Sequence, residues 1–224
     1  MKTLLTNAKV IDPVTETISD GEIMFEDGII ISREKEDKTI DCQGLYLSPG
    51  LIDLGVKVGE PGERHKESYK SAGAAAAAGG VTTIVTRPDT HPAIDTPEVL
   101  EFIRRRAHEV CPVNVVHMAA LTKERAGREM TEIGFLKDAG AIAFTDFNNV
   151  VRNSKILSRA LSYAKSMDAL VIGHPQDPDL SDETVATSGK FASLRGLPSV
   201  TPLAERMGLD RDMACLLYTS DAAD

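Results

Sequence analysis

Residues 48–67 read SPGLIDLGVKVGEPGERHKE and, four residues on, residues 72–92 read AGAAAAAGGVTTIVTRPDTHP. The first stretch holds an apolar, β-like run, GLIDLGVKV, between Pro/Gly punctuation. The second begins as an alanine-rich helix, stops at Gly79-Gly80 and enters a β-branched run, VTTIVT. Alanine is the best helix former and packs closely on a sheet, and either glycine can take the left-handed turn that ends such a helix. Strand, helix and strand at this spacing form a βαβ unit, which places the strands in a parallel sheet.

The rhythm continues outward from this unit. Strand candidates fall at 50–58, 81–86, 113–118, 141–145 and 169–173, separated by helical runs such as TPEVLEFIRRRAHEV, EMTEIGFLKDAG and KILSRALSYAKSMD, with a last helical stretch from about Pro202. A doubly wound sheet could be built from five strands, but the first strand carries no GxGxxG turn. Four polar residues, Asp89, His117, Asp146 and His174, recur at or just beyond strand ends, where a (β/α)₈ barrel keeps its chemistry. The expected fold is therefore α/β, a partial TIM barrel of about five strands. Before it, residues 1–49 show short β segments, TLLTNAKVID, GEIMFEDGIIIS with Asp27-Gly28 as a hairpin signal, and KTIDCQGLYLSPG, so a small β-sandwich segment precedes the barrel. The expected domains are 1–49 and 50–214.

The chain has 224 residues, whereas a complete barrel takes roughly 250 by itself. Composition is that of a globular protein, with 42% hydrophobic and 26% charged residues. A formal net charge of −9 without a Lys/Arg block argues against a nucleic-acid partner. Three scattered cysteines, Cys42, Cys111 and Cys215, form no CxxC and indicate neither a disulfide framework nor a thiolate metal site. The N-terminal MKTLLTN turns polar too early for a signal peptide, and no run approaches the ~18 apolar residues of a membrane span. The expectation is a cytoplasmic protein with no membrane attachment.

The two opening stretches together resemble the dihydroorotases of the amidohydrolase superfamily, whose pattern runs PG-[LF]-[IV]-D-x-H-x-H-L-R-E-P-G, then a helix to AAAGG-[VF]-TT, then M-P-N-T-x-P. The likeness continues through AGAIAFTDFNN, HPQDPDLSD and LRGLPSVTPLAERMGLDRDMA. The resemblance implies a metal-dependent barrel beside a composite β-sandwich and, as activity, ring closure of carbamoyl-aspartate to dihydroorotate in pyrimidine synthesis. That chemistry uses a divalent metal, zinc, to polarise a carbonyl and acidify a bound water.

This chain departs from the pattern where the metal is held. Two histidines one residue apart on a strand point the same way and make a good ligand pair; here those positions are Gly55 and Lys57. Glycine has no donor, and the lysine ammonium repels a metal unless strongly desolvated. The family arginine that helps hold the substrate carboxylate is Gly59, and the asparagine of the PNT motif is Asp89, a candidate substrate-binding position that can also pair locally with Arg87. Two ligand positions survive by resemblance, Asp146 in AFTDFNN and His174 in GHPQDPD, although Phe147 and Asn148 depart from the family loop. They are the candidate metal residues, for one zinc ion or for none. Loop histidines are usually solvated and strand-end ones backbone-bonded, so His65, His91 and His117 are weak metal candidates and His108 belongs to a helix surface. On one face of the first strand, Lys57 follows Asp53 and Gly55, and its ammonium is expected to neutralise Asp146 in the vacated cation position.

Residues 215–224, CLLYTSDAAD, do not continue the family pattern and read as translated sequencing adapter, which would leave about 214 native residues of an open barrel that lacks independent stability. Two functions follow. The lost HxH and arginine favour a dihydroorotase-like protein without catalysis that, as the resemblance implies for such degenerate homologues, supports aspartate carbamoyltransferase as a structural partner. The alternative is an active dihydroorotase or other cyclic amidohydrolase using a single metal. A sugar or nucleotide binder has no phosphate-cradling loop to support it.

Overall fold

The structure is a computed structural model and describes residues 1–218. Two compact units divide at Leu51 and Ile52. In the first, β1 (Lys2–Asp12) pairs antiparallel with β2 (Thr17–Glu26), which turns into β3 (Ile29–Ile31). Asp27 and Gly28 both have positive φ, 49° and 81°, the backbone that a two-residue hairpin matched to strand twist requires. On its other side β1 pairs in parallel with β4 (Lys38–Asp41) and β5 (Tyr46–Leu47).

The second unit takes all of β6 (Leu51–Val56) but its first residue, followed by α1 (Tyr69–Ala78), β7 (Val81–Thr86), α2 (Pro97–Val110) and β8 (Asn114–Ala119). Then come α3 (Ile133–Asp138), β9 (Ala141–Phe144), α4 (Ser154–Ser166) and β10 (Leu170–Val171). The five strands lie in sequence order, β10-β9-β8-β7-β6, with the pairings from β7 to β10 parallel. This is the half-barrel that the strand–helix rhythm predicts. Ser68 caps α1 through a reciprocal box with Ser71, and at the other end Gly80, with φ 78°, takes the left-handed turn before β7. Thr96 and Asn153 cap α2 and α4.

The amphipathic spacing of these helices sets the core. In α2 the buried residues are Leu100, Ile103 and Ala107, and in α4 Leu157, Ala160 and Ala164, each an i, i+3, i+7 stripe turned to the sheet. They pack with Tyr69, Ala119, Ile133, Leu136 and Phe144 into the main core. The opposite face of the sheet carries a smaller cluster of Val85, Met118 and Ala143.

Beyond β10 the chain adds elements that periodicity alone did not reveal: α5 (Pro178–Ser181), β11 (Ala186–Thr187), α6 (Lys190–Arg195) and β12 (Ser199–Val200), with β11 and β12 paired in parallel. The last helix, α7 (Pro202–Tyr218), runs through the first four residues of the segment read as adapter, and Cys215 packs against the main core. The rest of that segment, 219–224, lies outside the described residues. Among the described residues no helix is long and apolar enough to cross a membrane.

One expectation about placement is corrected. His117 does not sit at the barrel rim. It lies within β8, 2% exposed, and strand alternation turns it with Ala119 toward the helices, where it meets the Tyr69 ring edge-on at 5.9 Å between centroids.

Candidate functional site

The loops that follow β6, β7 and β9 bring the sequence-predicted positions together at one end of the sheet. Gly55, near the end of β6, has φ 87°, a backbone that side chains rarely adopt. A Cβ there would lie 3.7 Å from Cε2 of Phe147. The Phe147 ring in turn lies beneath a cation, with the Arg87 guanidinium carbon 3.4 Å from its centroid. Arg87 grips Asp89 with two donors, Nε at 3.0 Å from Oδ1 and Nη2 on Oδ2. This is the local pair anticipated between them, now with an aromatic floor.

Lys57 falls just after β6 ends and does not reach Asp146. Its Nζ is 3.3 Å from Asp89 Oδ2 and 3.9 Å from Glu63 Oε2, and its side chain is half exposed. Asp89 is buried, so a carboxylate in low-dielectric surroundings is balanced by two cations, Arg87 and Lys57. Gly59 lies in a turn closed by the Glu63 amide on its carbonyl, and a Cβ there would stand 2.4 Å from the Glu63 carbonyl oxygen. No side chain fits at the position of the family arginine without moving this loop.

Asp146, after β9, is 4% exposed and fully engaged. Its Oδ1 accepts from the amides of Leu121 and Thr122 at 3.1 and 3.0 Å, and its Oδ2 accepts from the Thr122 hydroxyl. Burial raises its pKa above the ordinary aspartate value, while the Thr122 hydroxyl and these amides pull it down. His174 is exposed. Asp146 and His174 line one small cavity of about 30 Å³ together with Arg211 and Asp212, which pair side by side, Arg211 Nη2 at 2.6 Å from Asp212 Oδ1.

A divalent metal does not fit the residues present. Catalytic zinc takes three protein ligands. Among the described residues no three His, Cys, Asp or Glu side chains converge as a metal group would require. Gly55 offers no donor, Lys57 brings a positive charge, Phe147 lies against Gly55, and Asp146 already accepts three hydrogen bonds.

Sequence reasoning missed Phe147 as a filler, and it missed Arg211 and Asp212. The signal for Phe147 was available in its departure from the family loop; its contact with Gly55 depends on how two separate loops approach. Arg211 and Asp212 carry no local pattern that marks them.

The half-barrel of parallel strands has the fold of solved hydantoinases. An L-hydantoinase from Arthrobacter aurescens superimposes with a TM-score of 0.78 over 97% of this chain and 51% of its own length at 17% identity. A D-hydantoinase gives 0.75 over 98% and 50% at 21% identity. The chain belongs to the dihydroorotase-like family, whose model, described as "Dihydro-orotase-like", matches residues 44–219. It is similar to a dihydroorotase of Syntrophus aciditrophicus, 38% identical over 229 residues, covering 99% of this chain and 54% of that protein. A dihydroorotase-like protein of Pseudomonas putida is 37% identical over 215 residues, covering 93% and 51%. The chain thus spans about half the length of these relatives.

Proposed function

We propose that this chain is part of a dihydroorotase-like protein of pyrimidine biosynthesis that does not catalyse ring closure and instead supports aspartate carbamoyltransferase as a structural partner. One observation carries the reading. The ammonium of Lys57, in place of a ligand histidine, pairs with buried Asp89, while Phe147 lies against donorless Gly55. A metal centre there would require removal of a cation and of an aromatic side chain. The closed turn at Gly59 adds the loss of the substrate-carboxylate arginine.

The second reading keeps a cyclic amidohydrolase with one metal, and it draws on the shared cavity of Asp146 and His174. In that reading further ligands come from parts of the relatives that this chain does not span. The cytoplasm is the proposed compartment, in keeping with pyrimidine synthesis.

The test uses a protein that carries this chain together with the remainder of the family length. It is incubated with zinc and assayed for dihydroorotate hydrolysis, and separately mixed with aspartate carbamoyltransferase and passed over a sizing column. The proposal expects no turnover above a no-protein control and co-elution of the two proteins. Turnover that depends on zinc and is lost on chelation would establish the second reading, and separate elution would remove the scaffold role.

A further inference from the structure

Independently of that function, we propose that the groove bounded by the loops after β8 and β9 and by the α5–β12 segment binds a small dianion, an organic phosphate or a dicarboxylate. The groove, about 1400 Å³ and open to solvent, is lined by Arg125, Arg128 and Arg152 and by the amides of Asn148, Asn149 and Asn153; Asp182 is its one acidic lining residue. Three guanidinium groups and one carboxylate line the groove, and with Asp179 paired to Arg152 just outside the lining a net positive charge remains there, in a chain of formal charge −9. Arginine is the side chain whose planar fork matches carboxylate and phosphate oxygens, which selects the ligand class.

The cations differ in how they are held. Arg125 is fixed, since its backbone carbonyl accepts from Asn149 Nδ2 at 3.0 Å and its Nη1 reaches the Asp146 carbonyl at 3.3 Å and Asn148 Oδ1 at 3.5 Å. The loop that carries it is pinned by the Gly127 amide on the Thr122 hydroxyl at 2.8 Å. Arg152 makes one exposed pair, 3.2 Å to Asp179, which an incoming anion can displace at little cost. Arg128 is exposed and makes no ion pair among the described residues, so its full charge is available. Asn153 spends its oxygen on the amides of Lys155 and Ile156 and leaves its NH₂ group for a ligand. Fixed, displaceable and free cations around one concave surface form a site prepared for two negative charges.

The test titrates the protein with inorganic phosphate and, in a second arm, with succinate, each at constant ionic strength set by chloride, with calorimetry or amide chemical shifts as readout. Saturable binding of phosphate alone assigns the site to phosphate esters, of succinate alone to dicarboxylates, and of both to dianions in general. In each case Arg128→Gln should weaken binding about tenfold without changing the thermal melt of the unliganded protein. Arg105→Gln, on α2 and outside the groove, should leave binding unchanged. Absence of saturable binding in both arms, or binding indifferent to Arg128→Gln, would overturn the proposal.

Discussion

The guanidinium of Arg87 stacks on the ring of Phe147, with 3.4 Å between the guanidinium carbon and the ring centroid. This pair joins the β7 loop to the β9 loop, and the same ring stands against Gly55. Restoring a histidine at position 55 therefore meets two obstacles. The backbone there has φ 87°, and the ring leaves 3.7 Å to a Cβ, enough for a methyl group and too little for an imidazole. Gly55→Ala should cost about 1–2 kcal/mol from the left-handed backbone alone, and Gly55→His more. Chemical denaturation of Gly55→His with and without Phe147→Ala separates the two obstacles. The double variant should recover the steric part and keep the backbone part; equal stability of Gly55→Ala and wild type would refute the strain argument.

Asp146 is a structural clamp in its own right. It accepts both amides at 121 and 122 and the Thr122 hydroxyl, so its removal leaves three buried donors without a partner. Asp146→Ala should destabilise the chain by about 3 kcal/mol, and Asp146→Asn by roughly half of that because one carbonyl oxygen still accepts. Urea unfolding checks the order of the two. If the alanine variant is as stable as the wild type, the clamp has no energetic role.

The barrel strands were legible because β-branched runs alternate with amphipathic helices and glycine marks the boundaries. Each of the five strand candidates overlaps an observed strand, with β8 running one residue past its candidate, and the Asp27-Gly28 hairpin forms as its dipeptide requires. The site was legible in its residue types and less so in its partnerships. Lys57 was expected to face Asp146 because a strand was read through residue 58. In fact β6 ends at Val56, and the loop after it delivers the ammonium to Asp89. His117 was read as a rim residue, but β8 runs on to Ala119 and its two-residue period points His117 at the helices. Both differences come from where a strand stops, which depends on ladder pairing across the sheet and has no strong local code.

A further buried carboxylate ties helices together. Glu60 is 6% exposed and accepts from the Tyr69 amide at 3.2 Å and from Arg106 Nε at 2.9 Å, linking the start of α1 to α2. Arg106→Leu removes the hydrogen-bonded cation and leaves only the exposed Arg64, 3.7 Å from Glu60 Oε1, so it should destabilise by about 2 kcal/mol. Adding Glu60→Gln to that background should return part of the loss. The double-mutant cycle, read from denaturation midpoints, would show no coupling if the pair is merely adjacent.

His117 makes stability depend on pH. Burial between sheet and helices, with a smaller contribution from the Arg104 charge, pushes its pKa down to about 4 from the ordinary 6.5. Its Nδ1 lies 2.7 Å from the Thr86 hydroxyl on the paired strand, and its Nε2 is buried without a hydrogen-bond partner. The folded state thus holds the neutral ring, while the unfolded chain takes up a proton below 6.5. A depressed folded pKa of this kind supplies stability that is complete above 6.5 and lost as the pH falls toward 4, about 3 kcal/mol over the window. Asp146 acts in the opposite direction, since its raised pKa favours the folded state as it gains a proton, and this offsets part of the loss at the acid end. The unfolding free energy of wild type should therefore decline between pH 6.5 and 4.5, and that of His117→Gln should decline less. Parallel pH profiles for the two proteins would mean that His117 is protonated as readily in the fold as in the unfolded chain, against its burial beside Tyr69.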